Sequence, residues 1–191
     1  MSSFYTTKEL KNIGFNSIGN HVLISRKASF YGIQNIDLAD NVRIDDFCFL
    51  SAGKGGIRIG NNVHISTYSS LVGEGRITLE DFVGISSKVS IYSSNDDYSG
   101  DFMSNPMVPA QFTNVTIGNV KLCKHVLVGT GAVILPNVTL NTGVAIGALS
   151  LVNEDCEEFY IYKGNPARKL IRRSKKLLEL EKEYLSAQNR L

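Results

Sequence analysis

The chain has 191 residues, with 20 Lys and Arg against 18 Asp and Glu and a formal net charge of +2. That length suits one domain with a substantial core, and the near balance of charge excludes nucleic acid or an anionic membrane held by bulk electrostatics. No run of about 18 apolar residues is present to span a membrane, and the first ten residues lack the cationic-then-apolar order of an export signal, so a cytoplasmic protein is expected.

Thr6-Thr-Lys-Glu9 reads as a capping box ahead of Leu10, and Gly14 is placed to stop the helix. A short helix over residues 6–13 is predicted, within a segment 1–17 that caps one end of the main body of the chain. From Ile18 that body falls into hexads: IGNHVL and ISRKAS, LADNVR and IDDFCF, IGNNVH and ISTYSS, LEDFVG and ISSKVS, then LCKHVL, VGTGAV, ILPNVT, LNTGVA and IGALSL without a break. Ile, Leu or Val opens every hexad and a small residue or Val holds the fifth place. A period of six fits neither helix nor ordinary strand, and a fixed short period means a solenoid. One short strand and one corner per hexad give a triangular coil, so the first residue points inward and its neighbours outward. The spacings of 20, 21 and 20 between Ile18, Leu38, Ile59 and Leu79 are three hexads plus a corner insertion, and stacked coils then form parallel ladders around an aliphatic core. This repeat body is assigned to 18–160.

Cys48 takes a fifth position of the repeat. With Cys123 and Cys156 it makes an odd number without a C-x-x-C pair, which favours free thiols over disulfides or zinc. Three scattered histidines offer no zinc ligand set, and no metal is expected. The period breaks over residues 92–116, a long polar excursion holding two of the four prolines. Loops of that length are usually functional. After the last hexad, residues 161–191 read as a turn and then a helix over about 167–188, whose stripe of Leu170, Ser174, Leu177, Leu178, Glu181, Tyr184 and Leu185 suits packing along the prism.

VGTGAV, IGALSL and the G-N-P-A-R-K turn resemble the hexapeptide-repeat acyltransferases. The resemblance implies a left-handed parallel β-helix, a homotrimer, and acetyl-CoA or another short acyl-CoA as co-substrate. DFVGISSKVSIYSSNDDYSG is similar to the subgroup that acylates the 4-amino group of nucleotide-linked 4-amino-4,6-dideoxyglucose in viosamine- and anthrose-type pathways, which implies a nucleotide-sugar acceptor. By position in the family pattern, Gly129, Thr130, Gly147 and Ala148 would meet pantetheine, and Lys163, Arg168 and Lys169 the coenzyme A phosphates. The glycines have a plainer alternative as corner residues. The six cations among Arg168, Lys169, Arg172, Arg173, Lys175 and Lys176 could equally be a solvated helix face.

Sugar O-acetyltransferases of this family carry an essential loop histidine as general base; this loop has none. An amine needs less help than a hydroxyl, and a carboxylate suffices to orient it and take its proton. Asp96 is the first candidate for that contact and Asp97 the second, against the alternative that an Asp pair caps a turn. Ser86 comes directly after inward Ile85 and points outward, toward acceptor or thioester. His64 precedes inward Ile65 and is the candidate base for a hydroxyl acceptor. Three functions remain open: a sugar N-acyltransferase, a sugar O-acetyltransferase, and a non-catalytic assembly module.

Overall fold

The computed structural model describes residues 3–188. Helix α1 (Thr7–Ile13) starts where the capping box places it: Thr6 Oγ1 accepts from the Glu9 amide, the Glu9 carboxylate accepts from the Thr6 amide, and Gly14 ends the helix at φ 107°. Arg26 pairs with Glu9, and hydrogen bonds from Arg26 and Thr6 push the Glu9 carboxyl down to about 2. Leu10 is buried against the first coil, so α1 covers that end.

The hexads build three walls of parallel strands. The first wall runs from Ser17–Ile18 to Thr139–Leu140, and the third from Ser29–Tyr31 to Leu151–Val152. The second runs from Leu23–Ile24 through Ala145–Ile146 to a final hairpin. Register obeys the hexad phase. Ile24, Ile44, Ile65, Ile85, Val128, Ile146 and Tyr162 stack in one inward column of the second wall. From Ile24 to Ile146 that column is no more than 3% exposed. Burying each such side chain contributes about 1.5–3 kcal/mol, which is why the aliphatic first position admits no polar residue. All three cysteines are free and buried; burial pushes the Cys48 thiol up to about 11 and Cys156 to about 12.

The corners also form columns, and here the chain accepts a cost. Phe47, Tyr68, Lys88 and Leu149 all hold φ between 58° and 62° at the corner between the second and third walls. A left-handed backbone at a side-chain-bearing residue is unfavourable by about 1–2 kcal/mol. The ladders on either side of the turn compensate. Gly131, at φ 72° in the same column, leaves room for the Leu149 side chain, which would come within 2.8 Å of an added Cβ.

The C-terminal helix is shorter than its sequence suggests. Tyr160–Gly164 extends the second wall and turns at the cis Asn165–Pro166 bond into an antiparallel strand, Ala167–Arg172, with Lys163 opposite Arg168. Only Leu177–Gln188 is helical (α2). The open edge of the second wall offers the 167–172 segment a ladder, and that outweighs its helix propensity. Leu170 is therefore on an exposed strand and Ser174 in the connection before α2, neither of them on the helix stripe. The stripe otherwise meets the corner between the first and second walls: Tyr184 sits edge-on to Phe82, its hydroxyl is 3.1 Å from Asn62 Oδ1, and Glu181 is 2.7 Å from His125 Nε2.

Candidate active site

On the second wall, the residue after each inward position bonds through its amide to the next coil: Ser66 to Ile85 O, Ser86 to Val128 O, Gly129 to Ile146 O and Gly147 to Tyr162 O. Asp45, Ser66, Ser86, Gly129, Gly147 and Lys163 thus line up along the prism at its second corner. Above Ser86 this strip carries no side chain for two coils and then ends on an exposed lysine. A Cβ at Gly129 would lie 2.6 Å from Ala148 N, and one at Gly147 would lie 2.9 Å from Lys163 Cβ. The two glycines keep the strip flush, so a linear ligand could lie along it with the corner residues Thr130 and Ala148 exposed beside it. Three coil steps separate Ser86 from Lys163, about 14 Å. Ser86 itself is half-buried and its hydroxyl makes no hydrogen bond among the described residues.

One coil below, His64 pairs with Gly84 in the ladder, so it lies beside the lower end of the strip. Its Nε2 is 2.7 Å from Asp45 Oδ2, while Asp45 Oδ1 accepts from Arg43 Nε at 2.7 Å. Burial works to raise the Asp45 pKa, but the hydrogen bonds from Arg43 and His64 outweigh it and hold the carboxyl below its ordinary range. Asp45 and Arg43 were not singled out in the sequence. The hexad phase contained the signal for Asp45, which comes after inward Ile44 as Ser86 comes after Ile85.

The two loop aspartates separate in role. Asp97 accepts from Ser99 N (3.0 Å), Ser99 Oγ (2.7 Å) and Gly100 N (3.3 Å). The Ser99 hydroxyl bond leads in holding its carboxyl below the usual range. Asp97 is the turn cap. Asp96 is exposed and makes no hydrogen bond or ion pair among the described residues. Its loop leaves the prism after Tyr92, closed by the antiparallel pair Ser94–Asn95 and Thr116–Ile117. The third-wall strand Ser90–Tyr92 therefore separates Ser86 from Asp96 along the chain, and no hydrogen bond joins the two among the described residues.

No family model matches the chain. A curated relative from Escherichia coli, dTDP-4-amino-4,6-dideoxy-D-glucose acyltransferase, is 56% identical over 176 residues, 92% of each chain. The chain belongs to this acyltransferase family. An aspartate-to-asparagine mutant of AntD, an N-acyltransferase from Bacillus cereus, is 46% identical with a TM-score of 0.94, covering 97% of this chain and 100% of that one, in complex with dTDP and coenzyme A. A serine-to-cysteine mutant of AntD has been solved with dTDP-4-amino-4,6-dideoxyglucose and coenzyme A (TM-score 0.93, 46% identity, 98% and 99% covered). Galactoside acetyltransferase, 18% identical with a TM-score of 0.63 over 88% of this chain and 70% of its own, shares the fold. The family and the parallel β-helix implied by the sequence resemblance are both present.

In this acyltransferase most of the C-terminal cations have partners. Lys169 pairs with Glu157 and lies 4.6 Å over the Tyr160 ring; the Glu157 hydrogen bond raises its pKa. Arg168 stands 4.0 Å from Glu154, and Lys175 stands 3.5 Å from Glu158. Arg173 turns inward, donating to the carbonyls of His125 and Gly143 at 3.0 Å each. Lys163 makes no ion pair among the described residues. His21 and His125 hold left-handed corner positions, and His125 is occupied with Glu181. No group of three or more His, Cys, Asp and Glu converges among the described residues.

Proposed function

We propose that this acyltransferase moves a short acyl group from acyl-coenzyme A to the 4-amino group of a dTDP-linked 4-amino-4,6-dideoxy sugar. The observation that carries this reading is the flush strip from Ser86 over Gly129 and Gly147 to Lys163. Its length suits a pantetheine arm whose thioester lies at Ser86 and whose phosphates meet Lys163, with Arg168 next to it. The family supports the substrates: AntD has been solved with the amino sugar nucleotide and with 3-hydroxybutyryl-coenzyme A. Acetyl-CoA remains the expected donor here.

The amine attacks the thioester carbonyl, the carbon–sulfur bond breaks, and coenzyme A leaves as thiolate. A nearby carboxylate holds the ammonium form and takes one proton so that the free amine can attack, and the proton that the nitrogen sheds as the intermediate collapses passes to the departing thiolate. Asp96 takes this part because its carboxylate is uncommitted, whereas Asp97 is held by Ser99 and Gly100. Ser86 Oγ orients the acceptor or the sulfur. Serine and aspartate are also the residues replaced in solved AntD variants, where they stand ten residues apart, as Ser86 and Asp96 do.

A homotrimer is the assembly that the position of Asp96 calls for. Its loop leaves the prism one wall beyond the corner that holds Ser86, which supports a site completed by a second chain. The loop is built for contact: Tyr98, Phe102, Met103, Met107, Phe112 and Ile117 are all exposed, Met107 by 90%. No described helix is long and apolar enough to cross a membrane, and both substrates are those of cytoplasmic biosynthesis.

The His64–Asp45 hydrogen bond favours a second reading, a hydroxyl acceptor with His64 as base. Purified protein is offered acetyl-CoA with a dTDP-linked 4-amino-4,6-dideoxy sugar and with its 4-hydroxy analogue, and free thiol is monitored. Release with the amine alone is expected. Turnover of the hydroxyl analogue alone would overturn the N-acyl reading.

A further inference from the structure

The turn that carries Ser86 is built differently from turns above and below it. At the corner between the second and third walls the chain turns over four residues, and at two heights the turn closes on itself: Ala28 N donates to Ser25 O at 3.1 Å and Ala132 N to Gly129 O at 3.2 Å. Between Val89 N and Ser86 O that bond is absent among the described residues, and a hydroxyl from the coil below stands in the gap. Ser69 Oγ accepts from Val89 N at 3.3 Å and donates to Ser86 O at 2.9 Å. Ser69 is fully buried. Cys48, in the same place one coil lower, brings only a weakly donating thiol to Ser66 O, at 3.2 Å. The rest of the Ser86 turn is fixed as well. Ser86 N donates to Val128 O of the coil above and Lys88 N to Thr67 O of the coil below, at 3.0 Å each, and Ser87 Oγ lies 3.0 Å from Ser66 Oγ. Thr67 Oγ1 donates in turn to Asp46 O at 2.7 Å. Five serine and threonine hydroxyls thus crowd the turns 66–69 and 86–89; four are bonded within the prism, and the one left over is that of Ser86.

We propose that Ser69 is a positioning residue for the acyl transfer, its buried hydroxyl setting the height and tilt of the Ser86 backbone so that Ser86 Oγ is aimed out of the wall at the reacting centre. This rests on the reading above that puts Ser86 at the thioester. An orienting group has to be held to within about 0.5 Å of its productive place, and a displacement of about 1 Å costs on the order of 10²-fold in rate. Ser69 supplies that hold from inside the prism, where it meets no substrate. With the hydroxyl removed, the Val89 amide and the Ser86 carbonyl close on each other, as the turns 25–28 and 129–132 do. That closure draws the Ser86 carbonyl toward Val89 and swings its side chain away from the strip. The same two turns show that alanine fits this place in the corner.

The test is a double-mutant cycle on amine acylation. Wild type, Ser69→Ala, Ser86→Ala and the pair are compared for kcat and both KM values, at enzyme concentrations high enough to read residual rates, with urea midpoints measured alongside. Ser69→Ala is expected to lower kcat about ten- to hundredfold with each KM within about twofold. Ser69→Cys is expected to recover part of the rate, because a thiol in this place reaches the carbonyl as that of Cys48 does. In the Ser86→Ala background, Ser69→Ala is expected to change kcat by less than about twofold. Unchanged kcat in Ser69→Ala overturns the proposal. So does a loss by the same factor in both backgrounds, which makes Ser69 a support of the wall and nothing more. If Ser69→Ala fails to fold, Ser69→Cys is carried through the same cycle on the same criteria. Ser86→Ala that turns over at the wild-type rate overturns the placement of Ser86 at the thioester, and the role of Ser69 with it.

Discussion

Asp96→Asn and Ser86→Ala, each alone and then mixed, measure whether the site spans two chains. Asp96 is exposed and makes no contact that the fold uses, so its replacement should change stability by less than about 0.5 kcal/mol. Loss of a carboxylate that takes the amine's proton costs about 10²–10⁴ in kcat. Both variants alone should be nearly inactive. When the two are co-refolded in equal amounts, a trimer in which each cleft pairs one chain's Ser86 with its neighbour's Asp96 regains both residues in about a quarter of its clefts, because each cleft draws two chains at random. Thiol release should therefore return to about a quarter of the wild-type rate. In mixed assemblies isolated by two affinity tags, one cleft in three is restored, so their rate should be about a third of wild type. Mixed assemblies that stay as inactive as their parents would refute the shared cleft and place both residues in one chain's chemistry.

Lys163→Ala should raise the KM for acetyl-CoA about tenfold, as expected for one charge-assisted contact to phosphate, while the KM for the sugar nucleotide stays unchanged; steady-state kinetics with each substrate varied reads both. Ile65→Ala, in the fully buried second-wall column, should destabilise by about 2–5 kcal/mol, seen as a lower urea midpoint. Glu181 anchors α2 to Lys124 and His125. Burial alone would raise its pKa, but those two partners outweigh it and keep the carboxyl below its ordinary 4.5. A carboxyl depressed in the folded state contributes above its unfolded pKa and loses that contribution as pH falls through the folded value. Protection factors of the amides over 177–188, corrected for the intrinsic exchange rate, should fall as pH is lowered below the ordinary 4.5, before the core column opens; protection lost only together with the core would argue against the Glu181 anchor.

The repeat was legible because an inward aliphatic every sixth residue is a constraint no other architecture imposes. The same phase told which side of the wall Ser86 and His64 occupy. The C-terminal segment was less legible, since the amphipathic stripe after Ala167 satisfies helix periodicity until the wall's free edge is counted. The aspartate pair shows a similar limit: Asp96 and Asp97 differ only in which one finds the Ser99 hydroxyl and the Gly100 amide. Arg173 looked like one more phosphate-binding cation, and only the folded chain shows it capping the carbonyls of His125 and Gly143.

The strip between Ser86 and Lys163 is measured in whole coils, which makes the prism a ruler with divisions of about 4.8 Å. Insertion of one eighteen-residue coil between Ile85 and Val128 would preserve every ladder and the end that α1 covers. It would nevertheless lengthen the donor groove by one division and strand the thioester short of Ser86. A coil added below Ile44 would leave that distance untouched. Relatives with different numbers of turns can therefore keep the same donor only if their extra turns lie outside this interval, so chain length in the family is free at the ends and quantised in the middle.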